Sequence, residues 1–65
     1  MGVSVWNPVT TDFYGRSVYG SYVIENDTII TVKTPRGNKA MQLRGLHPDQ
    51  LAKRLLRELA AEGKA

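Results

Sequence analysis

The stretch that decides the fold is PDQLAKRLLRELAAEG, residues 48–63. Its apolar residues recur at the three- and four-residue spacing of one helix face, and they are Leu51, Ala52, Leu55, Leu56, Leu59 and Ala60. Pro48 suits the first helical position, where a missing N–H costs nothing. Asp49 places a negative charge in the first turn, where the helix dipole favours it, and Gly63 is a usual stop signal. The sequence therefore predicts an amphipathic helix over about 48–62.

Upstream of this helix, three segments are rich in Val, Ile, Thr and Tyr and are separated by turn residues: 17–25, 28–34 and 38–44. This composition is typical of β-strands. Residues 3–6 are expected to add a short edge strand that ends at Asn7-Pro8. The sequence therefore predicts one α+β domain spanning residues 1–65, a three- to four-stranded antiparallel β-meander packed on one C-terminal amphipathic helix, in two layers with the order β-β-β-α.

The turn in TPRGNK, residues 34–39, predicts the pairing of the last two strands. Proline presets φ at the start of such a turn, and glycine permits a positive φ later in it. A four-residue loop over 35–38 gives the pairs Thr34–Lys39, Val32–Met41 and Ile30–Leu43. The last two pairs are then expected to face the leucines of the helix, and the other face carries Thr31, Lys33, Ala40, Gln42 and Arg44.

The turn at Asn26-Asp27 leaves two registers open. A two-residue loop pairs Ile24 with Ile29, and a three-residue loop pairs Tyr22 with Ile30. The two choices send opposite faces of the 17–25 strand inward. We favour the three-residue loop, which places Val18, Tyr22 and Ile24 in the core and leaves Tyr19, Val23 and Glu25 outside.

Composition places the chain among small globular domains. Its 65 residues are 42% hydrophobic and 23% charged, a balance that excludes intrinsic disorder. The absence of cysteine excludes disulfides and a cysteine zinc site, so the small core must be tight or be extended by association. The N-terminus does not resemble a signal peptide, and no apolar run approaches the roughly 20 residues of a membrane span. A cytoplasmic location without membrane contact is expected.

Side chains suited to catalysis are few. His47 is the one histidine of the chain; it precedes Pro48 at the helix entry, and Asp49 is the only carboxylate close to it in sequence. The sequence contains no glycine-rich phosphate loop and no zinc, calcium or dinucleotide pattern. It therefore predicts a domain that is not an enzyme and that uses no cofactor and no metal.

Basic residues are the remaining functional signal. The formal net charge is +3, which suits contact with nucleic acid or with an acidic protein. The candidates for nucleic-acid contact lie on the sheet face away from the helix and at the 35–38 hairpin, and they are Lys33, Arg36, Lys39, Gln42 and Arg44. A sheet that bears Arg, Lys, Gln and Thr can enter the DNA major groove and meet base edges and phosphates.

The order of three antiparallel strands and a helix is similar to that of the arm-binding domains of some integrases and of a class of plant DNA-binding domains. The chain lacks the dense Arg and Trp pattern of the plant domains, so no residue roles carry over. Two other interpretations stay open. Charged residues on outer faces often serve solubility alone, and apolar Val23 and Ile29 on an open sheet favour a homo-oligomer or another protein partner. Trp6 and Phe13 are expected in the core or over a sheet edge.

Overall fold

The computed structural model describes residues 5–65. Its elements in chain order are strand β1 (Asn7–Phe13), strand β2 (Arg16–Glu25), strand β3 (Ile29–Thr34), strand β4 (Gly37–Gln42) and helix α1 (Pro48–Ala61). The strands form one open antiparallel sheet in the order β1-β2-β3-β4, and α1 packs on one of its faces. The predicted two-layer α+β meander with a C-terminal helix is confirmed, with four strands in the described part of the chain.

The first strand lies further along the chain than predicted. Of residues 3–6, the first two lie outside the described residues, and the last two precede β1. Asn7-Pro8, expected to end a strand, begins β1; an edge strand tolerates the proline because one of its sides has no ladder hydrogen bonds. The alternation of β1 is clear in its burial, since Val9 and Thr11 are buried between exposed neighbours. The polar run around Thr11 concealed this strand in the sequence.

Two connections between strands use residues with positive φ. Tyr14 (φ 52°) and Gly15 (φ 77°) form the two-residue turn between β1 and β2, and positive φ at both positions is the signature of a type I′ hairpin. Between β2 and β3, a three-residue loop over 26–28 sets Glu25 opposite Ile29, and its first two residues also have positive φ. The predicted three-residue loop is confirmed.

The β2 register sends the predicted face inward. Val18, Tyr22 and Ile24 pack against the core, while the alternate residues of the strand point away from α1. The exact partner of Tyr22 was wrong, because it pairs with Val32 instead of Ile30. A difference of two residues does not change the face, since side chains alternate with a period of two.

The hairpin between β3 and β4 is tighter than predicted. Thr34 lies opposite Gly37, so the connection has two residues, Pro35 and Arg36, and the predicted four-residue loop is wrong. The cause is the Thr34 hydroxyl oxygen, which accepts hydrogen bonds from the backbone N–H groups of Arg36 (3.2 Å) and Gly37 (3.1 Å). A side chain that binds these two amides closes the turn before the glycine.

The tighter turn shifts the β3–β4 pairing by two residues. The observed pairs are Thr34–Gly37, Val32–Lys39 and Ile30–Met41. Every side chain nevertheless keeps its predicted face, because the shift equals one full period of the strand. Leu43 falls beyond the end of β4 and remains buried, whereas Met41, expected in the core, is 40% exposed on the edge strand.

The core lies between α1 and the sheet, and it consists of Val9, Ile30, Val32, Leu43, Leu51, Ala52, Leu55, Leu56 and Leu59. The helix ends at Ala61, one residue before the predicted end. Gly63 (φ 76°) then donates to the Ala60 carbonyl, and Lys64 donates to the Leu59 carbonyl, which is the Schellman arrangement of a helix stop. Within residues 5–65, no helix has both the length and the apolarity needed to cross a membrane.

Candidate functional site

The face of the sheet opposite α1 carries no other element of the described chain, and we refer to it as the open face. The strand registers define its residues: Thr10 and Asp12 on β1, Tyr19, Ser21, Val23 and Glu25 on β2, Ile29, Thr31 and Lys33 on β3, and Asn38, Ala40 and Gln42 on β4. The predicted exposure of Tyr19 and Lys33 on this side is confirmed.

A groove of about 450 Å³ lies on the open face beside the β3–β4 hairpin. Its lining residues are Trp6, Tyr19, Gly20, Ser21, Lys33, Thr34 and Pro35, and we refer to it as the Trp6–Tyr19 groove. Trp6 is 41% exposed and Tyr19 is 67% exposed, so both rings offer surface to a ligand. Exposed apolar surface that is gathered in one place is typical of a binding site.

The side chains of Trp6 and Lys33 meet over β2. Asn7 pairs with Tyr22 of β2, so Trp6 begins on the β1 side, yet Nζ of Lys33 on β3 is 5.6 Å from the centroid of its ring. The pair spans the open face of the intervening strand, where Val23 is 6% exposed. A cation over an indole is worth about 0.5–1 kcal/mol at an exposed site, so Lys33 helps to hold the ring in this position.

The structure places the five predicted contact residues in three separate locations. Lys33 lines the Trp6–Tyr19 groove, and Arg36 is exposed in the turn at the same end of the sheet. Gln42 lies at the other end of the open face, about 13 Å along the strands from Lys33. Arg44 follows β4 there, and its Nε donates to Oε1 of Gln42 at 3.3 Å. Lys39 is on the covered face.

Lys39 is held by the helix. Its ammonium group pairs with the carboxylate of Glu58 at 3.4 Å and with that of Glu62. The hydrogen bond to Glu62 raises the pKa of Lys39 above its ordinary value, and the same bond lowers the pKa of Glu62. Two carboxylates therefore neutralise Lys39 on the α1 side of the sheet, away from Lys33.

The open face also carries negative charge. Asp12 lies at one end of the face, opposite Ser17, and Glu25 lies at the other end, opposite Ile29. Oε1 of Glu25 accepts a hydrogen bond from the Thr31 hydroxyl at 3.5 Å. The cationic part of the face is thus confined to the end of the β3–β4 hairpin, next to the Trp6–Tyr19 groove.

A second groove of about 440 Å³ lies beyond the end of β4. Its lining residues are Met41, Gln42, Arg44, Leu46 and Arg54. Met41 and Leu46 are 40% and 53% exposed, and Arg44 and Arg54 line the same groove. This second groove combines apolar and cationic surface, as the first does, but it contains no aromatic ring.

Among residues 5–65, no group of three or more His, Cys, Asp and Glu side chains is arranged to hold a metal ion. His47 is the N-cap residue of α1, as its sequence position indicated, and its side chain makes no capping hydrogen bond. It is exposed, and Asp49 in the first helical turn is its only acidic neighbour in sequence.

Trp6 was not predicted as a residue of the open face. Trp6 was expected in the core or over a sheet edge, as aromatic residues usually are, and the first strand was expected at residues 3–6 instead of Asn7–Phe13. Alternation counted back from Val9, which is buried against α1, puts position 6 on the opposite face. The correct strand boundary was therefore the missing information.

No protein-family model matches this chain, and comparison with curated proteins and with solved structures found no similar chain.

Proposed function

We propose that this chain is a small non-catalytic binding domain that contacts nucleic acid on its open face, beside the β3–β4 hairpin. The observation that carries the proposal is that Lys33 lines the same groove as the exposed rings of Trp6 and Tyr19, and that Arg36 is exposed in the adjoining turn. Lysine and arginine bind phosphate oxygens, and aromatic rings offer bases a surface on which to stack. A nucleic-acid ligand also fits the cytoplasmic location expected from the sequence.

The charge distribution favours phosphate binding beside the β3–β4 hairpin over the rest of the open face. Lys33 and Arg36 have no carboxylate within salt-bridge distance among the described residues, so both charges are available to a ligand. Lys39, in contrast, is already paired. Asp12 and Glu25 disfavour phosphate at the two ends of β2. Nucleic acid is therefore expected to contact a small surface with few phosphates, and its affinity is expected to be modest.

Fluorescence anisotropy with labelled oligonucleotides tests this proposal. Binding is expected at about 50 mM salt and should weaken with salt, with a slope of log K against log salt of about −1.4 for two phosphate contacts on a single strand or about −1.8 on a duplex. The double variant Lys33→Gln/Arg36→Gln should lose most of the binding and the salt dependence.

The control is Lys53→Gln, which removes an exposed charge from the outer surface of α1. This substitution lowers the net charge and leaves the open face unchanged. The affinity of the Lys53→Gln variant for the oligonucleotide should therefore stay close to that of the unmodified chain. Equal loss in both variants would indicate nonspecific charge attraction, and no binding at about 50 mM salt would exclude the proposal.

The alternative function is protein association, and a specific observation favours it. Trp6, Tyr19 and Ile29 are 41%, 67% and 38% exposed on the same face, and a domain this small gains stability by covering such surface. A second copy could cover the open face, and an acidic protein would suit the second groove, with Arg44 and Arg54. Sedimentation equilibrium tests self-association, and a monomer at all accessible concentrations would reject the homodimer.

A further inference from the structure

We infer that the ligand is single-stranded nucleic acid and that one of its unpaired bases stacks in the Trp6–Tyr19 groove. This inference rests on the proposed function and goes further, because it names the form of nucleic acid and the chemistry of its recognition. The groove and the adjoining cations Lys33 and Arg36 carry it.

The groove presents two aromatic rings to a ligand. Trp6 and Tyr19 line the same groove of about 450 Å³, and both rings are partly exposed to solvent. A base within a duplex presents only its edges to a protein, whereas an unpaired base presents its flat surface. Stacking on aromatic side chains is the main way in which proteins hold unpaired bases without reading their sequence. The groove therefore suits a base that has left its helix.

Lys33 and Arg36 are the groups that would bind the phosphates of such a strand. Lys33 reaches over the indole, with Nζ 5.6 Å from its centroid, and Arg36 is exposed in the adjacent turn. A base that stacks on the indole displaces the ammonium group from the ring and leaves it beside the sugar–phosphate backbone of the same nucleotide. The ammonium group exchanges its contact with the ring for one with a phosphate, and the two contacts are worth similar amounts at exposed sites, about 1 kcal/mol or less.

The rest of the open face carries two carboxylates that disfavour a duplex. Asp12 and Glu25 are in rows of the sheet that are eight residues apart along β2, about 26 Å. A duplex that covers the face brings rows of phosphates on both walls of its major groove, and these phosphates meet the two carboxylates. Lys33 pairs with Ser21, which is four residues along β2, about 13 Å, from each of these two rows, so a phosphate held by Lys33 lies away from both carboxylates.

The experiment compares three labelled probes at about 50 mM salt: a thymidine decamer, a duplex of the same length, and an abasic strand with the same phosphates. We expect the thymidine strand to bind about tenfold or more tightly than the other two. It should also quench the fluorescence of Trp6, which is the one tryptophan of the chain. Tyr19→Leu should weaken thymidine binding by about tenfold, and Tyr19→Phe should preserve it because the ring remains.

Two controls keep the result interpretable. Tyr14→Asn removes an exposed ring at the other hairpin, outside the groove, and should leave binding unchanged. Tyr19 is 67% exposed, so Tyr19→Leu should fold, and its far-ultraviolet circular dichroism should match that of the unmodified chain. Abasic or duplex probes that bind as tightly as the thymidine strand would overturn the stacking inference and leave nucleic-acid binding intact. If none of the three probes binds, both the inference and the proposed function are excluded.

Discussion

Gly20 of β2 lies so close to Leu56 of α1 that a Cβ atom at position 20 would come within 3.0 Å of the leucine Cδ1. The same atom would lie 2.9 Å from the backbone oxygen of Lys33. Gly20 therefore allows the helix to approach the sheet at the place where the other face of the sheet carries the Trp6–Tyr19 groove.

Replacing Gly20 tests this close contact. Gly20→Ala should destabilise the domain by about 1–3 kcal/mol, because over-packing forces the helix or the β3 backbone to move. The gain in strand propensity offsets only about 0.5–1 kcal/mol of this cost. Urea denaturation measures the effect, and Ser21→Ala, one residue away on the open face, should change stability by less than about 0.5 kcal/mol. An alanine variant as stable as the unmodified chain would contradict the packing described.

Leu55 tests the core between α1 and the sheet. It is 1% exposed, so Leu55→Ala should cost about 2–5 kcal/mol through lost burial and the cavity that remains. A domain of this size has a free energy of unfolding of only a few kcal/mol, and Leu55→Asp should leave it unfolded. Thermal unfolding followed by circular dichroism measures both. Lys53→Ala, on the exposed side of the same helix, should have a melting temperature close to that of the unmodified chain.

Thr34 tests the β3–β4 turn. It is 5% exposed, and Thr34→Val keeps its shape while removing the oxygen that binds the amides of Arg36 and Gly37. Leaving these groups without a partner should cost about 1–3 kcal/mol. Thr34→Ser keeps the oxygen and should lose less stability than Thr34→Val. Thr10→Val, on the exposed side of β1, should leave the free energy of unfolding nearly unchanged. Urea denaturation of the three variants would refute the role of the hydroxyl if the two valine variants behaved alike.

The ion pair of Lys39 and Glu62 predicts how stability depends on pH. The folded-state pKa of Glu62 is below its ordinary value of 4.5, so its contribution is complete at neutral pH and is lost as pH falls below about 5 and through the folded pKa. The pKa of Lys39 is raised above 10.5, so its contribution is complete below that pH and is lost as pH rises through the folded value.

Lys39→Met removes this pair and supplies the measurement. The difference in stability between the unmodified chain and the variant should be constant near neutral pH and should shrink in acid. In an NMR titration, the pKa of the Glu62 carboxyl should rise toward its ordinary value in the variant, because the hydrogen bond from Lys39 is the main cause of its depression. A Glu62 pKa that does not move would show that the pair is not formed in solution.

Periodicity predicted the helix and the inward face of each of the three later strands, because burial alternates along an element in a way that local sequence records. The position of β1 was missed because Thr10, Thr11 and Asp12 lack the apolar alternation of a strand, although Thr11 is buried. Its burial comes with a contact from a distant element, since Nη2 of Arg57 is 3.5 Å from its hydroxyl.

The candidate site was predicted only in part, for the same physical reason. Lys33 and Arg36 could be placed from the turn and the strand alternation. The pairing of Lys39 with Glu58 and Glu62 depends on how α1 crosses the sheet, which no local pattern specifies. The face on which Trp6 lies follows from the boundary of β1, which was not predicted. The two-residue length of the β3–β4 turn follows from the hydrogen bonds of the Thr34 hydroxyl.

The Thr34 hydroxyl also donates to the backbone carbonyl of Lys64, thirty residues further along the chain. The turn amides that this hydroxyl holds are thus tied to the segment after α1, and deuterium should enter them at the same slow rate as it enters the last turn of the helix. Opening of the hairpin and release of the helix terminus then form one cooperative event. A synthetic peptide limited to β3 and β4 would lack that anchor, and its turn amides should exchange faster than those of the whole chain.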